Sequence, residues 1–199
     1  MFKRRRGTAA TRDFYNRVGW RRQNGTLVDT LLFGWADGPI HQALDSQRKE
    51  RLLQVAGRPD LRLAELGCGG TPAIFLAERC TKFIAVDFSS TGLSEAAAAL
   101  RGTNVAFETV EADITDLPFE DDAFDVVYSA HAIYHIDTVD GQAAALREAM
   151  RVVRPLACEA AFALSADAAG MDERTVREVG RCKDHRACRA KCSVRSPRF

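Results

Sequence analysis

The chain has 199 residues, of which 46% are hydrophobic and 28% charged, a composition typical of a soluble globular protein with a real core. It has no apolar run long enough to cross a membrane, so we expect no membrane span. The first residues, M-F-K-R-R-R-G, are basic without an apolar stretch behind them, so we expect no secretory signal and a cytoplasmic location.

Positive charge is concentrated at both ends of the chain. Residues 1–22 carry a net charge of +7 and residues 181–199 a net charge of +6, which leaves −12 for the residues between them. Basic arms on an acidic body can contact nucleic acid. No aromatic residues alternate with the charges of the tail, as base stacking would require, so we favour two solvated ends over nucleic-acid binding.

The first part of the chain, residues 1–39, is predicted to be a separate basic and aromatic segment. Residues 11–20 contain F-Y-N-R-V-G-W. These aromatic side chains could fold over a ligand pocket, or they could pack as a hydrophobic clasp on the edge of a sheet. Residues 40–55 then have apolar residues at helical spacing, and the sequence G-R-P at 57–59 ends the predicted helix.

A glycine-rich turn follows in residues 63–72, which read L-A-E-L-G-C-G-G-T-P. The pattern predicts a strand, a tight turn and the start of a helix. Glycine is needed where the backbone has positive φ or lets a ligand come close, so Gly67 and Gly69 are predicted to form the floor of a nucleotide-type pocket at the carboxyl end of a parallel strand. The dinucleotide-binding fingerprint is not met, because Pro72 stands where its third glycine would be. Glu65 would repel phosphates and suits a ligand with an ammonium group.

Strands and helices alternate along the next part of the chain. We predict helices at 73–79, from a cap at Ser90 or Thr91 through residue 100, and at 138–153, and strands at 82–87, 105–110 and 123–129. Residues 130–137, A-H-A-I-Y-H-I-D, would lie over the pocket mouth. This alternation indicates an α/β fold with a doubly wound, mostly parallel sheet and a ligand site at the carboxyl ends of its strands.

Taken together, residues 52–155 resemble the class I S-adenosylmethionine-dependent methyltransferases, which have a Rossmann-like fold. The glycine-rich turn resembles the first motif of this family, although Thr71 stands where its third glycine usually lies. The other resembling stretches are F-I-A-V-D at 83–87, V-E-A-D-I-T-D-L-P-F at 110–119, F-D-V-V-Y-S at 124–129 and R-E-A-M-R-V-V-R-P at 147–155.

The resemblance implies S-adenosylmethionine as the cofactor and methyl transfer to an acceptor, for which we favour a small molecule over a macromolecule. By this resemblance, Glu65 would bind the methionine amino group, and Gly67 and Gly69 would let the chain pass beside the ligand. Asp87 would bind the ribose, and Asp113 and Ile114 would hold the adenine. Ser129 would meet the methionine moiety. His131 and His135 are candidates for a general base if the acceptor must lose a proton, or else are packing residues.

Two other functions are weighed against this one. A nicotinamide-dependent oxidoreductase on the related sheet is disfavoured by Pro72 and by Glu65. A truncated or frame-altered protein that binds the cofactor with little catalysis is the other alternative, because the pattern weakens after Pro155. We predict a methyltransferase domain over residues 40–164 that is incomplete at its carboxyl end, although a complete minimal fold would also fit.

Residues 165–199 are predicted to be an irregular, basic, cysteine-rich tail. Cys182, His185, Cys188 and Cys192 have ligand types that suit zinc. Known structural zinc sites use two separated pairs of ligands, and this tail lacks apolar residues to pack around a metal. We therefore predict no metal site.

Overall fold

The computed structural model describes residues 8–29 and 61–154, together with positions 43, 46–47, 49–50 and 52–53. The positions described between 43 and 53 are helical, as predicted. The predictions for the cysteine-rich tail and for an incomplete carboxyl end lie outside the described residues. The division of the chain at residues 39 and 164 stays a prediction.

A four-stranded parallel sheet forms the centre of the fold, with the strand order β5-β4-β3-β6. Its strands are β3 (Arg62–Leu66), β4 (Lys82–Asp87), β5 (Ala106–Glu111) and β6 (Val126–Tyr128). In the register, Leu63 lies opposite Phe83 on β4 and Val126 on β6. The chain runs outward from β3 to β5 and then returns to the other side of β3. The predicted α/β fold with a parallel sheet is confirmed, and the order reverses next to the glycine-rich turn.

Apolar side chains cover both faces of this sheet, as its buried parallel strands require. On one face, Leu63 and Phe83 pack with Leu76 of helix α2 (Ile74–Ala77) and Leu100 of helix α3 (Ser90–Leu100). On the other face, the strands pack with helix α4 (Val139–Val152), whose Ala149 and Val152 are buried. Helices on opposite faces make the sheet doubly wound.

Helix α3 begins one residue earlier than the predicted caps would allow. The cap is Ser89, whose Oγ accepts a hydrogen bond from the amide of Gly92 at 3.0 Å. The prediction of Ser90 or Thr91 was wrong, because the backbone is already helical at Ser90 and only Ser89 has the extended conformation of a capping residue. Helix α4 begins after Thr138, whose hydroxyl accepts from the amide of Gly141 at 3.1 Å.

Two elements are at least three residues shorter than predicted. Helix α2 has four residues rather than the seven expected at 73–79. Strand β6 begins at Val126 rather than at residue 123, since Phe124 forms a separate parallel bridge with Val153. Asp125 lies between Phe124 and Val126, and its carboxylate accepts a hydrogen bond from the amide of Arg62 at 2.9 Å, at the amino end of the sheet.

The amino-terminal segment folds as helix α1 (Thr8–Phe14), a π-helical turn (Tyr15–Gly19) and an antiparallel hairpin of β1 (Trp20–Gln23) and β2 (Thr26–Asp29). We did not predict the hairpin, although the Asn24-Gly25 dipeptide between its strands is a strong hairpin signal. Both residues have positive φ, 50° and 82°.

The amino-terminal segment is attached to the start of helix α3. Asn16 Oδ1 accepts from the hydroxyl of Ser89 at 2.8 Å, and its carbonyl oxygen accepts from the hydroxyl of Thr91 at 3.0 Å. Arg22 forms an ion pair of 2.6 Å with Glu95 on the same helix.

No helix in the described part of the chain is long and apolar enough to cross a membrane. The expected cytoplasmic location stays a prediction.

Candidate functional site

A cavity of about 630 Å³ lies at the carboxyl ends of the parallel strands, next to the point where the strand order reverses. This is where doubly wound sheets bind their ligands. Its wall contains eight of the nine residues predicted for the site, namely Glu65, Gly67, Gly69, Asp87, Asp113, Ile114, His131 and His135.

The ninth residue, Ser129, is buried directly after β6 but is not among the residues that line the cavity. Its hydroxyl donates to the carbonyl oxygen of Leu66 on β3 at 2.9 Å. The neighbouring residues Tyr128 and Ala130 do line the cavity. The structure therefore gives the Ser129 side chain a partner within the sheet, and its contact with a ligand stays a prediction.

The glycine-rich turn forms the floor of the cavity as expected, with φ of +73° at Gly67 and +55° at Gly69. The amide of Gly67 donates to the carbonyl of Val86 at 2.8 Å, which holds the turn against β4. A side chain at Gly67 would overlap Ala132 of the following segment. At Thr71 φ is not positive, so the turn needs no third glycine there.

Asp87 ends strand β4 and is 5% exposed. Its Oδ2 accepts from the amide of Gly69 and its Oδ1 from the amide of Ser89, both at 2.8 Å. Burial raises the pKa of this carboxyl above its ordinary value, against the effect of these amide donors. Asp87 therefore joins the glycine-rich turn to the start of helix α3, and its carboxylate has lone-pair capacity for a further donor.

Two more carboxylates line the cavity from the neighbouring strands. Glu65 on β3 is 5% exposed, and its Oε2 accepts from the amide of Ala73 at 2.8 Å. Asp113 follows β5, and its Oδ1 accepts from the amide and the hydroxyl of Thr115 at 2.9 and 2.7 Å. With Asp87, three acids from three adjacent strands surround the cavity, which therefore favours a ligand that carries positive charge or many hydroxyl and amino donors.

Cys68 also lines the cavity, between the two glycines with positive φ. Burial, together with the charges of Glu65 and Asp87, raises the pKa of its thiol well above the ordinary value. Its Sγ donates to the carbonyl oxygen of Gly69 at 3.4 Å. The thiol stays protonated at neutral pH, so Cys68 is a packing residue of the turn rather than a nucleophile.

The two candidate bases lie in the segment after β6, as predicted, on one side of the cavity. His131 has φ of +57°, a conformation that is uncommon for a residue other than glycine. His135 ends a short 3₁₀ helix (Ile133–His135), and its Nε2 lies 3.1 Å from the hydroxyl oxygen of Tyr15. The ring of Tyr134 lies 4.1 Å from that of His135, centroid to centroid.

Two aromatic residues of the amino-terminal segment, Tyr15 and Trp20, also line the cavity. The structure thus agrees with the first of the two expected placements, in which this segment folds over the pocket. The indole of Trp20 packs against Gly69 and Gly70, and side chains at these positions would contact it. Its buried Nε1 has no hydrogen-bond partner among the described residues. The F-Y-N-R-V-G-W stretch pointed to this segment, but no sequence signal distinguished these two residues from their neighbours.

The cavity fits S-adenosylmethionine in size and in the chemistry of its wall. Its volume is within the range of about 300–1,000 Å³ that small-molecule sites occupy. The cofactor carries an ammonium and a sulfonium group, a ribose diol and an adenine amino group, all of which suit carboxylate partners. Apolar residues for the adenine ring are present at Phe88 and Ile114. Among the described residues, no group of three metal-ligating side chains is close enough to hold a metal ion.

Comparisons with known proteins agree with this geometry. A family model described as a methyltransferase domain matches residues 64–157. A demethylmenaquinone methyltransferase of Clavibacter sepedonicus is 36% identical over 102 residues, which are 51% of this chain and 39% of the relative. A 27-O-demethylrifamycin SV methyltransferase of Amycolatopsis mediterranei is 34% identical over 136 residues, covering 60% of this chain and 46% of the relative. The chain therefore spans less than half the length of both curated relatives.

Among solved structures, the N-methyltransferase NodS of Bradyrhizobium japonicum, in complex with S-adenosyl-L-homocysteine, has the same fold. The TM-score is 0.54 at 17% sequence identity, and the match covers 64% of this chain and 62% of NodS. The glycine-rich turn, the strand order, the matching family model and the related sequences agree, and together they support a class I S-adenosylmethionine-dependent methyltransferase domain over the matched residues 64–157.

Proposed function

We propose that this protein binds S-adenosylmethionine in the cavity and transfers its methyl group to a small-molecule acceptor. The observation that carries the proposal is the convergence of Glu65, Asp87 and Asp113 with the glycine-rich turn on one cavity. The sulfonium supplies an activated methyl group when the cofactor is bound. The protein would then bind the two reactants, orient them and exclude water from the site.

Each acid would hold one part of the cofactor. We propose that Glu65 binds the methionine amino group, that Asp87 accepts from the ribose hydroxyls, and that Asp113 and Ile114 contact the adenine. Gly67 and Gly69 would let the ligand lie against the backbone. All these residues belong to β3, β4, β5 and the turns that follow them, so one edge of a rigid sheet positions the whole cofactor.

A small-molecule acceptor is supported by the shape of the site and by the relatives. The cavity is lined by aromatic and apolar side chains beside the acids, including Phe75, Phe88 and Ile136. The names of both curated relatives describe methyl transfer to small molecules, demethylmenaquinone and 27-O-demethylrifamycin SV. Which acceptor this chain uses is a question for an activity screen.

Calorimetric titration with S-adenosylmethionine, S-adenosylhomocysteine and NADH tests the cofactor. We expect binding of the first two and none of NADH. Binding of NADH alone would favour the oxidoreductase alternative. Incubation with methyl-labelled S-adenosylmethionine and a panel of phenols, amines and thiols then tests turnover. Cofactor binding without transfer to any acceptor would favour the alternative of a cofactor-binding protein with little catalysis.

A further inference from the structure

A tyrosine and a histidine that are 120 positions apart in the sequence meet in the wall of the cavity. The hydroxyl oxygen of Tyr15 lies 3.1 Å from Nε2 of His135, and the two rings meet edge to face at 5.6 Å. Both residues line the cavity beside the proposed cofactor site. The amino-terminal segment therefore contributes a polar group to the same side of the cavity as the candidate bases.

Both partners are held in place by surrounding rings. Tyr15 is 6% exposed, and its ring contacts Phe14 at 5.4 Å, Trp20 at 5.7 Å and Phe88 at 6.3 Å. The next residue, Asn16, anchors the same turn to helix α3. The ring of His135 contacts that of Tyr134 at 4.1 Å, with the two planes tilted by 41°. Such packing fixes the geometry before a ligand arrives, as an effective proton-transfer group requires.

We propose that Tyr15 and His135 form a pair that takes the proton of a hydroxyl acceptor, an inference that rests on the proposed methyl transfer. When the phenol donates to Nε2, a neutral His135 carries its own proton on Nδ1. The acceptor oxygen attacks the methyl carbon, and the carbon–sulfur bond breaks with its electron pair moving to sulfur. The acceptor proton moves to the oxygen of Tyr15 while the phenol proton moves to Nε2. The products are a methyl ether, the thioether and an imidazolium, which returns its proton to water.

This pair indicates the class of acceptor. An alcohol or phenol keeps its proton at neutral pH and becomes a good nucleophile only as that proton leaves, so its methylation gains most from a built-in proton acceptor. A thiol ionises far more readily and needs less help. The aromatic wall around Tyr15 suits a ring beside the reacting hydroxyl. We therefore infer an aromatic hydroxyl compound as the acceptor class.

The test uses the full chain, three single variants and the double variant Tyr15→Phe/His135→Gln. Tyr15→Phe removes the hydroxyl and keeps the ring contacts, and His135→Gln removes the imidazole. Tyr134→Phe is the matched control, because it removes a different hydroxyl from a ring that also contacts His135. Calorimetry with S-adenosylhomocysteine checks that each variant retains the cofactor site.

The first readout is the ¹⁵N NMR spectrum of the imidazoles with S-adenosylhomocysteine bound, with His135 assigned by its loss in His135→Gln. We expect the Nδ1–H tautomer in the wild-type chain and in Tyr134→Phe, and a mixture of tautomers in Tyr15→Phe. Identical His135 signals in the wild type and in a Tyr15→Phe variant that still binds S-adenosylhomocysteine would overturn the pair and leave the proposed function standing.

The second readout is methyl transfer to catechol and 1-naphthol, with benzyl mercaptan as the thiol probe. For the hydroxyl probes we expect each single variant to lose about a hundredfold or more in rate, and the double variant to be no slower than the single ones. With the thiol probe, the same variants should lose much less of the methyl-transfer rate. A Tyr15→Phe variant that methylates the hydroxyl probes at the wild-type rate would refute the pair. No transfer by the wild type, with His135 still responding to Tyr15→Phe, would support the pair and count against the proposed function.

Discussion

Replacement of Asp87 by asparagine is the sharpest test of the proposed cofactor site. In the protein the two carboxylate oxygens accept from the amides of Gly69 and Ser89 at 2.8 Å. Asparagine has nearly the same shape, but its NH₂ group would face one of these N–H donors. The charge is lost and one backbone donor is left without an acceptor, while the packing of β4 is unchanged.

The expected magnitudes follow from these contacts. A hydrogen bond to a charged group contributes about 1.5–3 kcal/mol, and a ribose hydroxyl that donates to Asp87 would lose this amount. The dissociation constant of S-adenosylmethionine should then rise by about ten- to a hundredfold. The free energy of unfolding should fall by only about 1–2 kcal/mol, because loss of the buried charge offsets part of the lost hydrogen bond.

The pH dependence of binding provides a second readout for the same variant. Burial raises the pKa of Asp87, and ribose hydroxyl donors favour its ionised form. Affinity for S-adenosylmethionine should therefore fall as the pH drops through this raised pKa, with proton release on binding near it. In Asp87→Asn this part of the pH dependence should be absent.

Asp125→Asn is the matched control. Its carboxylate also accepts from a backbone amide, that of Arg62 at 2.9 Å, and pairs with Arg154 at 2.7 Å, but at the opposite end of the sheet. Both variants are assayed by calorimetry with S-adenosylmethionine and by urea denaturation. The reasoning is refuted if Asp87→Asn binds as the wild type does, or if Asp125→Asn weakens binding to the same extent.

Three further predictions concern the turn, acid stability and thiol chemistry. Gly67→Ala should abolish calorimetric S-adenosylmethionine binding and markedly lower the unfolding midpoint, whereas Gly25→Ala, also at positive φ but with nothing near its added methyl, should cost only about 1 kcal/mol and keep binding. Glu148→Gln should be less stable than the wild type by about 1 kcal/mol at pH 7, and urea titrations should show this difference shrinking as the pH falls through the pKa of Glu148, which hydrogen bonds from Arg151 lower. Cys68 should react with iodoacetamide at neutral pH far more slowly than a free thiol by peptide mass spectrometry, and rapid alkylation of the folded protein would contradict its raised pKa.

Much of the site could be predicted because its signals are local in the sequence. A turn that needs positive φ requires glycine, so Gly67 and Gly69 identified it without knowledge of the fold. Strand β4 was predicted with its observed bounds, since a buried parallel strand is a continuous apolar run that here ends in an acid. Once three parallel strands are placed in one sheet, their carboxyl ends share one edge, and Glu65, Asp87 and Asp113 must lie together there.

Prediction from the sequence alone was less accurate where the structure depends on competition between neighbouring residues or on contacts between distant residues. The N-cap of helix α3 is Ser89 rather than Ser90 or Thr91, because the path of the backbone after β4 sets which residue is the last extended one. The bond between Ser129 and Leu66 joins residues 63 positions apart. Neither outcome is encoded in local propensity.

By itself, then, the sequence determined the α/β fold class, the glycine-rich turn and the acids beside it, because backbone conformation and the burial of apolar strands are properties of short segments. Only the tertiary structure decided what covers this edge of the sheet. The amino-terminal segment brings Trp20 onto the glycine-rich turn and Tyr15 to His135, and no local pattern specifies which ring lies where. Those contacts are set by the packing of the amino-terminal segment on helix α3 and on the segment after β6, which is established only when the whole chain has folded.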